Sequence, residues 1–332
     1  MHRCPLKRLL FLLISWPLLA QTTDGPKVAA PPPNLIFKFG GQVDSTQGKD
    51  VLGKVTWNAN SALTLFLSGN QSSLASTTQA PSASGNPTTT TITSLGGSYL
   101  FGLFDLGLQY DHSNMSDLLT SRRYYLQPAF DGGSWRVGFE GSIRTTDFDR
   151  LHFTGRTINT PTGPVAVTGY ADLSIRDTGL GANVEWNGEI WRAYASYTHF
   201  NYGSFEGNTD VTRIRNASGA VSAEVFKALS DWLVNRLERL AGSRLSSKAA
   251  LLDSAATVGL EANLKRTRWT LEVSQDLDHL TNQTSDTYTG IADWKVTPKF
   301  TLELLAGATR SDALGTNRFA GLTFIFRTRP SL

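Results

Sequence analysis

The chain has 332 residues, 40% hydrophobic and 18% charged, with a formal net charge of +3 and one cysteine. A lone Cys4 excludes a disulfide framework or a cysteine metal site, and so weak a positive balance lends no compositional support to nucleic-acid binding. No HExxH, GxSxG, glycine-rich phosphate loop or EF-hand spacing occurs, so no cofactor and no metal is expected.

Residues 1–20 read as a secretory signal: Arg3, Lys7 and Arg8 precede the apolar run from Leu9 to Ile14, and Ala20 follows as a small residue. That run is shorter than the roughly 20 residues a membrane helix needs. Its removal takes away three basic side chains and no acid, so the +3 becomes zero in the mature chain. Residues 21–34, with Pro31-Pro32-Pro33, read as an extended periplasmic tether. No later apolar stretch approaches the length of a helical span.

The rest is a series of segments with side-chain period two. Leu35, Phe37, Phe39 and Val43 alternate with Ile36, Lys38, Gln42 and Asp44; Phe104, Leu106, Leu108 and Tyr110 alternate with Asp105, Gly107, Gln109 and Asp111. The pattern predicts strands near 35–44, 51–58, 62–69, 91–101, 104–111, 122–130, 135–144, 176–186, 190–200, 257–266, 269–277, 286–296, 300–309 and 317–326. Short turns, such as Asp131-Gly132-Gly133-Ser134 and Asn187-Gly188-Glu189, alternate with long connections at 70–90, 112–121, 145–175, 201–256 and 278–285. The stretch 70–90 is a low-complexity loop of Ser, Thr, Ala, Gln and Pro. Sorting of loops by length onto opposite ends is what a membrane barrel does, with short periplasmic turns and long extracellular loops.

Trp57, Trp135, Trp186, Trp191, Trp269 and Trp294 all fall within a few residues of a short turn, as an aromatic girdle at one membrane interface requires. Within the 201–256 connection, residues 220–241 carry Val221, Val225, Leu229, Trp232, Leu233, Leu237 and Leu240 on one helical face. They predict an amphipathic helix of about six turns, and three placements compete for it: the barrel mouth, the rim, or a partner. The final strand ends on Ala320, Leu322, Phe324 and Phe326 and resembles the aromatic-ended last strand of Gram-negative outer-membrane β-barrels, although residues 327–332 extend past it as a tail. That resemblance implies a bacterial outer-membrane location and recognition by the outer-membrane assembly machinery.

The expected fold is therefore an all-β transmembrane antiparallel barrel over 35–326, of about fourteen strands, with a helical insertion in a long extracellular loop. Ionisable side chains on the lipid side cost roughly 2–4 kcal/mol each near the midplane, so the charged parity must face the lumen. The predicted pore-lining set is Lys38, Lys54, Asp105, Arg136, Glu140, Arg144, Glu185, Arg192, Tyr194, Glu261, Lys265, Glu272, Asp293, Lys295 and Glu303.

Histidine is scarce beyond the signal: His112, His152, His199 and His279. Asp111-His112 and Asp276-Leu277-Asp278-His279 place carboxylates near imidazoles, but neighbours on a strand point to opposite faces. The expected function is a porin-like channel for passive diffusion of small hydrophilic solutes, with outer-membrane lipid as the surrounding partner and no nucleic acid. The alternatives are a rim hydrolase acting on lipid or peptide through a His and carboxylate pair, and a non-conducting barrel whose long loops recognise a partner.

Overall fold

The computed structural model describes residues 34–45, 48–73, 89–115, 119–160, 163–203, 206–215, 252–279, 284–311 and 315–329; over 148–173 and 206–215 only the backbone is described. Residues 1–33, most of the low-complexity loop, and the predicted helix at 220–241 lie outside the described residues.

Fifteen strands follow in chain order: β1 (Asn34–Asp44), β2 (Lys49–Asn58), β3 (Leu63–Ser73), β4 (Thr89–Phe101), β5 (Phe104–Met115), β6 (Leu119–Asp131), β7 (Trp135–Thr160), β8 (Gly163–Asn187), β9 (Trp191–Tyr202), β10 (Glu206–Arg215), β11 (Leu252–Asn263), β12 (Thr267–Asp278), β13 (Thr284–Thr297), β14 (Phe300–Ser311) and β15 (Gly315–Arg327). Each pairs antiparallel with its sequence neighbour except around β10; β9 skips it to pair with both β8 and β11, and β1 pairs with β15. Fourteen strands thus close into a ring and no edge is left in it, which is the condition for a sheet to stand in hydrocarbon.

The ring is inside out relative to a soluble protein. Outward side chains at mid-strand are large, apolar and bare: Leu180 is 68% exposed, Leu271 67% and Phe139 59%. The parity is the one the alternation predicts, because a one-residue slip would send every charge into lipid. At the closing seam Phe39 stacks on Phe324 with ring centroids 5.3 Å apart, and Phe300 lies 4.7 Å from Phe326. The start of the predicted tail is stitched to β1: the Thr328 amide donates to the Leu35 carbonyl (2.9 Å), and the Leu35 amide donates to the Thr328 hydroxyl (3.0 Å).

Two predicted loops are corrected. The connection expected at 145–175 is strand: β7 and β8 run on together through Thr160↔Gly163, with bulges between Phe148 and Leu151 and between Phe153 and Arg156. The 201–256 insertion begins with a strand, β10, which pairs with the outer part of β8 from Glu206↔Ser174 to Arg215↔Ala166. A span needs about 9–11 residues, and β7 has 26; the remainder of this three-stranded extension stands beyond the bilayer. Strands there pair through their backbones and need no flank turned to lipid, so period-two alternation does not mark them in the sequence.

Candidate functional site: the charged interior

The interior parity carries the polar residues of every spanning strand, and most of them meet a partner one or two strands away. Near the short turns, Arg136 on β7 reaches Asp105 on β5 at 2.6 Å. Arg192 on β9 reaches Glu185 on β8 at 2.6 Å and Glu261 on β11 at 3.4 Å. Arg268 on β12 lies 3.9 Å from Glu261, and its Nε donates to Asp293 on β13 at 2.6 Å. Lys38 on β1 meets Glu303 on β14 at 2.8 Å. One step deeper, Gln127 donates to Glu140 (2.8 Å) and the Tyr194 hydroxyl donates to Glu272 (2.8 Å). The Lys54 ammonium sits 4.5 Å from the centre of the Phe66 ring.

Toward the long loops the interior changes character. Arg144 and Asp177 pair at 2.5 Å with side chains 2% and 0% exposed, and Arg144 also donates to the Tyr202 hydroxyl at 3.0 Å. Arg123 approaches the same carboxylate at 3.6 Å. Its guanidinium lies 4.9 Å from the Phe200 ring centre and 5.7 Å from that of Tyr125, so stacking compensates its incomplete hydrogen bonding. Two guanidinium groups therefore share one dry carboxylate.

Four aromatic rings lie flat against the inner wall over a glycine directly opposite on the neighbouring strand: Phe66 over Gly96, Phe200 over Gly179, Tyr194 over Gly259 and Phe319 over Gly307. A Cβ on Gly259 would stand 2.1 Å from the Tyr194 ring. Missing side chains thus let large rings hug the wall. The signal for these joints was an inward-parity glycine in mid-strand, but only the register shows which ring it faces.

Of the fifteen residues in the predicted interior set, fourteen lie on the spanning strands; Arg123, Asp177 and Arg268 belong to the same network and were missed, Arg123 and Asp177 because each stands close to a long connection. Lys265 is corrected: it sits, exposed, in the β11–β12 turn and not on a strand, because β11 ends at Asn263. Lys295 is exposed near the end of β13. The six tryptophans are 38–57% exposed near the short-turn ends of their strands.

Among the histidines, His199 is exposed and His112 half-buried, while Asp111 accepts from Gln109 (2.7 Å) on the opposite face from His112. His279 does meet a carboxylate, but it is Asp253 on β11 at 2.6 Å and neither Asp276 nor Asp278, and its ring stacks on Tyr202 at 3.9 Å. No Ser or Thr hydroxyl stands within hydrogen-bond reach of that imidazole among the described residues, nor do they contain a metal-binding cluster. A recess of about 760 Å³ is lined mostly by apolar residues, among them Ala193, Leu271, Tyr288 and Ala306, and also touches Glu272.

No protein family matches the chain, and no curated protein does. Solved structures similar in fold include the CymD monoaromatic hydrocarbon channel, at 7% identity over 91% of this chain and 88% of that one, with a TM-score of 0.50. OpdK of Pseudomonas aeruginosa, solved with vanillate, gives 6% identity over 89% and 97% of the two chains, with a TM-score of 0.39. The outer-membrane protein OprD of the same organism gives 8% over 89% and 93%, with a TM-score of 0.40. The likeness to CymD agrees with the ring of strands in showing a closed antiparallel β-barrel fold; the other two likenesses are looser.

Proposed function

We propose that this chain is a porin-like channel of the outer membrane, through which small hydrophilic solutes diffuse passively, and that it has no catalytic role. The observation that carries the reading is where the interior charges find their partners. Every ion pair between described residues joins strands that are neighbours or next neighbours, so these pairs lie along the wall. A barrel of about eight strands fills with side chains, whereas 16 to 18 leave an aqueous channel; fourteen strands with wall-bound pairs stand on the open side of that range.

On this reading the interior residues from Lys38 to Glu303 line the pore, Lys295 lines its short-turn mouth, and the six tryptophans form the interfacial girdle. The signal at 1–20 exports the chain, the segment 21–33 tethers the barrel on the periplasmic side, and β15 is the strand its assembly machinery reads. Charges of both signs along the wall favour solutes by size and polarity over strong selectivity for one ion sign.

Purified, folded protein in planar bilayers is expected to give stepwise conductance, and vesicles containing it are expected to swell in isotonic sugar. Electrically silent membranes holding demonstrably folded protein overturn the channel reading.

A further inference from the structure

The short-turn rim of the ring divides into two arcs of opposite chemistry. From β2 through β9 its four turns, Asn58–Leu63, Phe101–Phe104, Asp131–Trp135 and Asn187–Trp191, hold two acids, Asp131 and Glu189, and no Lys or Arg. From β11 to β15, the turns Asn263–Thr267 and Thr297–Phe300 and the end of β15 hold Lys265, Arg266, Lys299, Arg327 and Arg329 and no acid. These pieces adjoin: the Lys295 amide donates to the Arg266 carbonyl and the Arg327 amide to the Lys299 carbonyl, each at 2.8 Å.

Lys265, Arg266, Lys299 and Arg329 are exposed, and none forms an ion pair with a carboxylate among the described residues. Their charge is thus available, unlike that of Arg268 beside them, which Glu261 and Asp293 hold. On the outside of the same arc Trp269 and Trp294 are 54% and 53% exposed, with Leu264 at 52% between turn and girdle. An amphipathic ring next to an uncompensated cation at one depth is the composition of a side chain set that meets headgroups.

We infer that this basic arc binds the phosphate of anionic phospholipid headgroups in the leaflet facing the short turns, fixing which side of the barrel wall gathers anionic lipid. Both arcs carry tryptophan, so the aromatic anchors seat the whole rim, and the charge confines the lipid preference to β11–β15. Each basic side chain close to an anionic surface enriches the anionic lipid about fivefold, and the effect fades beyond a Debye length.

The test uses the folded full-length barrel in phosphatidylcholine vesicles with spin-labelled phosphatidylglycerol as the probe. The protein is expected to hold labelled phosphatidylglycerol at least about fivefold over labelled phosphatidylcholine, with the preference lost in 1 M salt. The combined variant Lys265→Gln, Arg266→Gln, Lys299→Gln and Arg329→Gln is expected to bring the ratio near one with conductance steps retained. The single variant Lys299→Gln is expected to give an intermediate ratio. A wild-type ratio near one, or an unchanged ratio in the combined variant, overturns the inference. Displacement of the label by millimolar inorganic phosphate, or by polyglutamate, also overturns it, reassigning the arc to a soluble phosphate or to an acidic polypeptide.

Discussion

The two halves of the barrel interior use the same chemical pair in different solvents. Near the short turns, Arg136 and Asp105 are 37% and 19% exposed and Arg192 and Glu185 are 35% and 17% exposed, so water shares their solvation. Near the long loops, Arg144 and Asp177 are 2% and 0% exposed at about the same separation. Geometry alone does not rank ion pairs. A wet pair contributes little to stability and remains available to a passing ion, whereas a dry one contributes nothing to conduction and becomes costly once it is broken.

The sharpest way to break this comparison is Asp177→Asn, which leaves both Arg123 and Arg144 without their shared carboxylate. It is expected to cost about 3–5 kcal/mol in denaturant unfolding from lipid vesicles. Adding Arg144→Met should recover part of that loss, and a loss under 1 kcal/mol for Asp177→Asn would mean that water reaches the cluster. The next largest effect is expected from Gly259→Ala, whose methyl would push the Tyr194 ring off the wall and break its bond to Glu272. The expected cost is about 1–3 kcal/mol, with a lower single-channel conductance because the ring moves into the bore.

Arg136→Gln, in the wet half, is expected to change unfolding stability by less than about 1 kcal/mol while shifting ion selectivity toward cations in reversal-potential measurements. Equal stability losses for Arg136→Gln and Asp177→Asn would erase the distinction between the halves. The smallest effect is that of salt. Between 0.1 and 1 M the Debye length shortens from about 10 to about 3 Å, so the Arg136→Gln selectivity shift should vanish while the Asp177→Asn stability loss persists.

How much was legible in the sequence follows the same division. All fourteen ring strands read from alternation, because lipid on one flank and water on the other stamp a period of two on each of them. The same alternation sets the polar flank that carries Asp105, Arg136 and Glu303, whereas Arg268 escaped it because it follows directly on a turn. Lys265 was misplaced because alternation carries on visually past Asn263, where the chain has already turned. The outer parts of β7 and β8 and the whole of β10 were read as loop, since alternation marks only a strand with one flank turned to lipid.

Alone, the amino-acid order determined which segments are extended, which flank of each is greasy, and that the charges belong inside, since each of these is set by a side chain and its immediate neighbours. Tertiary structure alone decided that Arg144 finds Asp177 and not Asp111, that His279 meets Asp253, that Tyr194 rests on Gly259, and that five basic residues from three separate pieces of chain form one arc of the rim. Those outcomes depend on register and on ring closure, which bring residues up to hundreds of positions apart to one height on the wall, and no local pattern encodes that height.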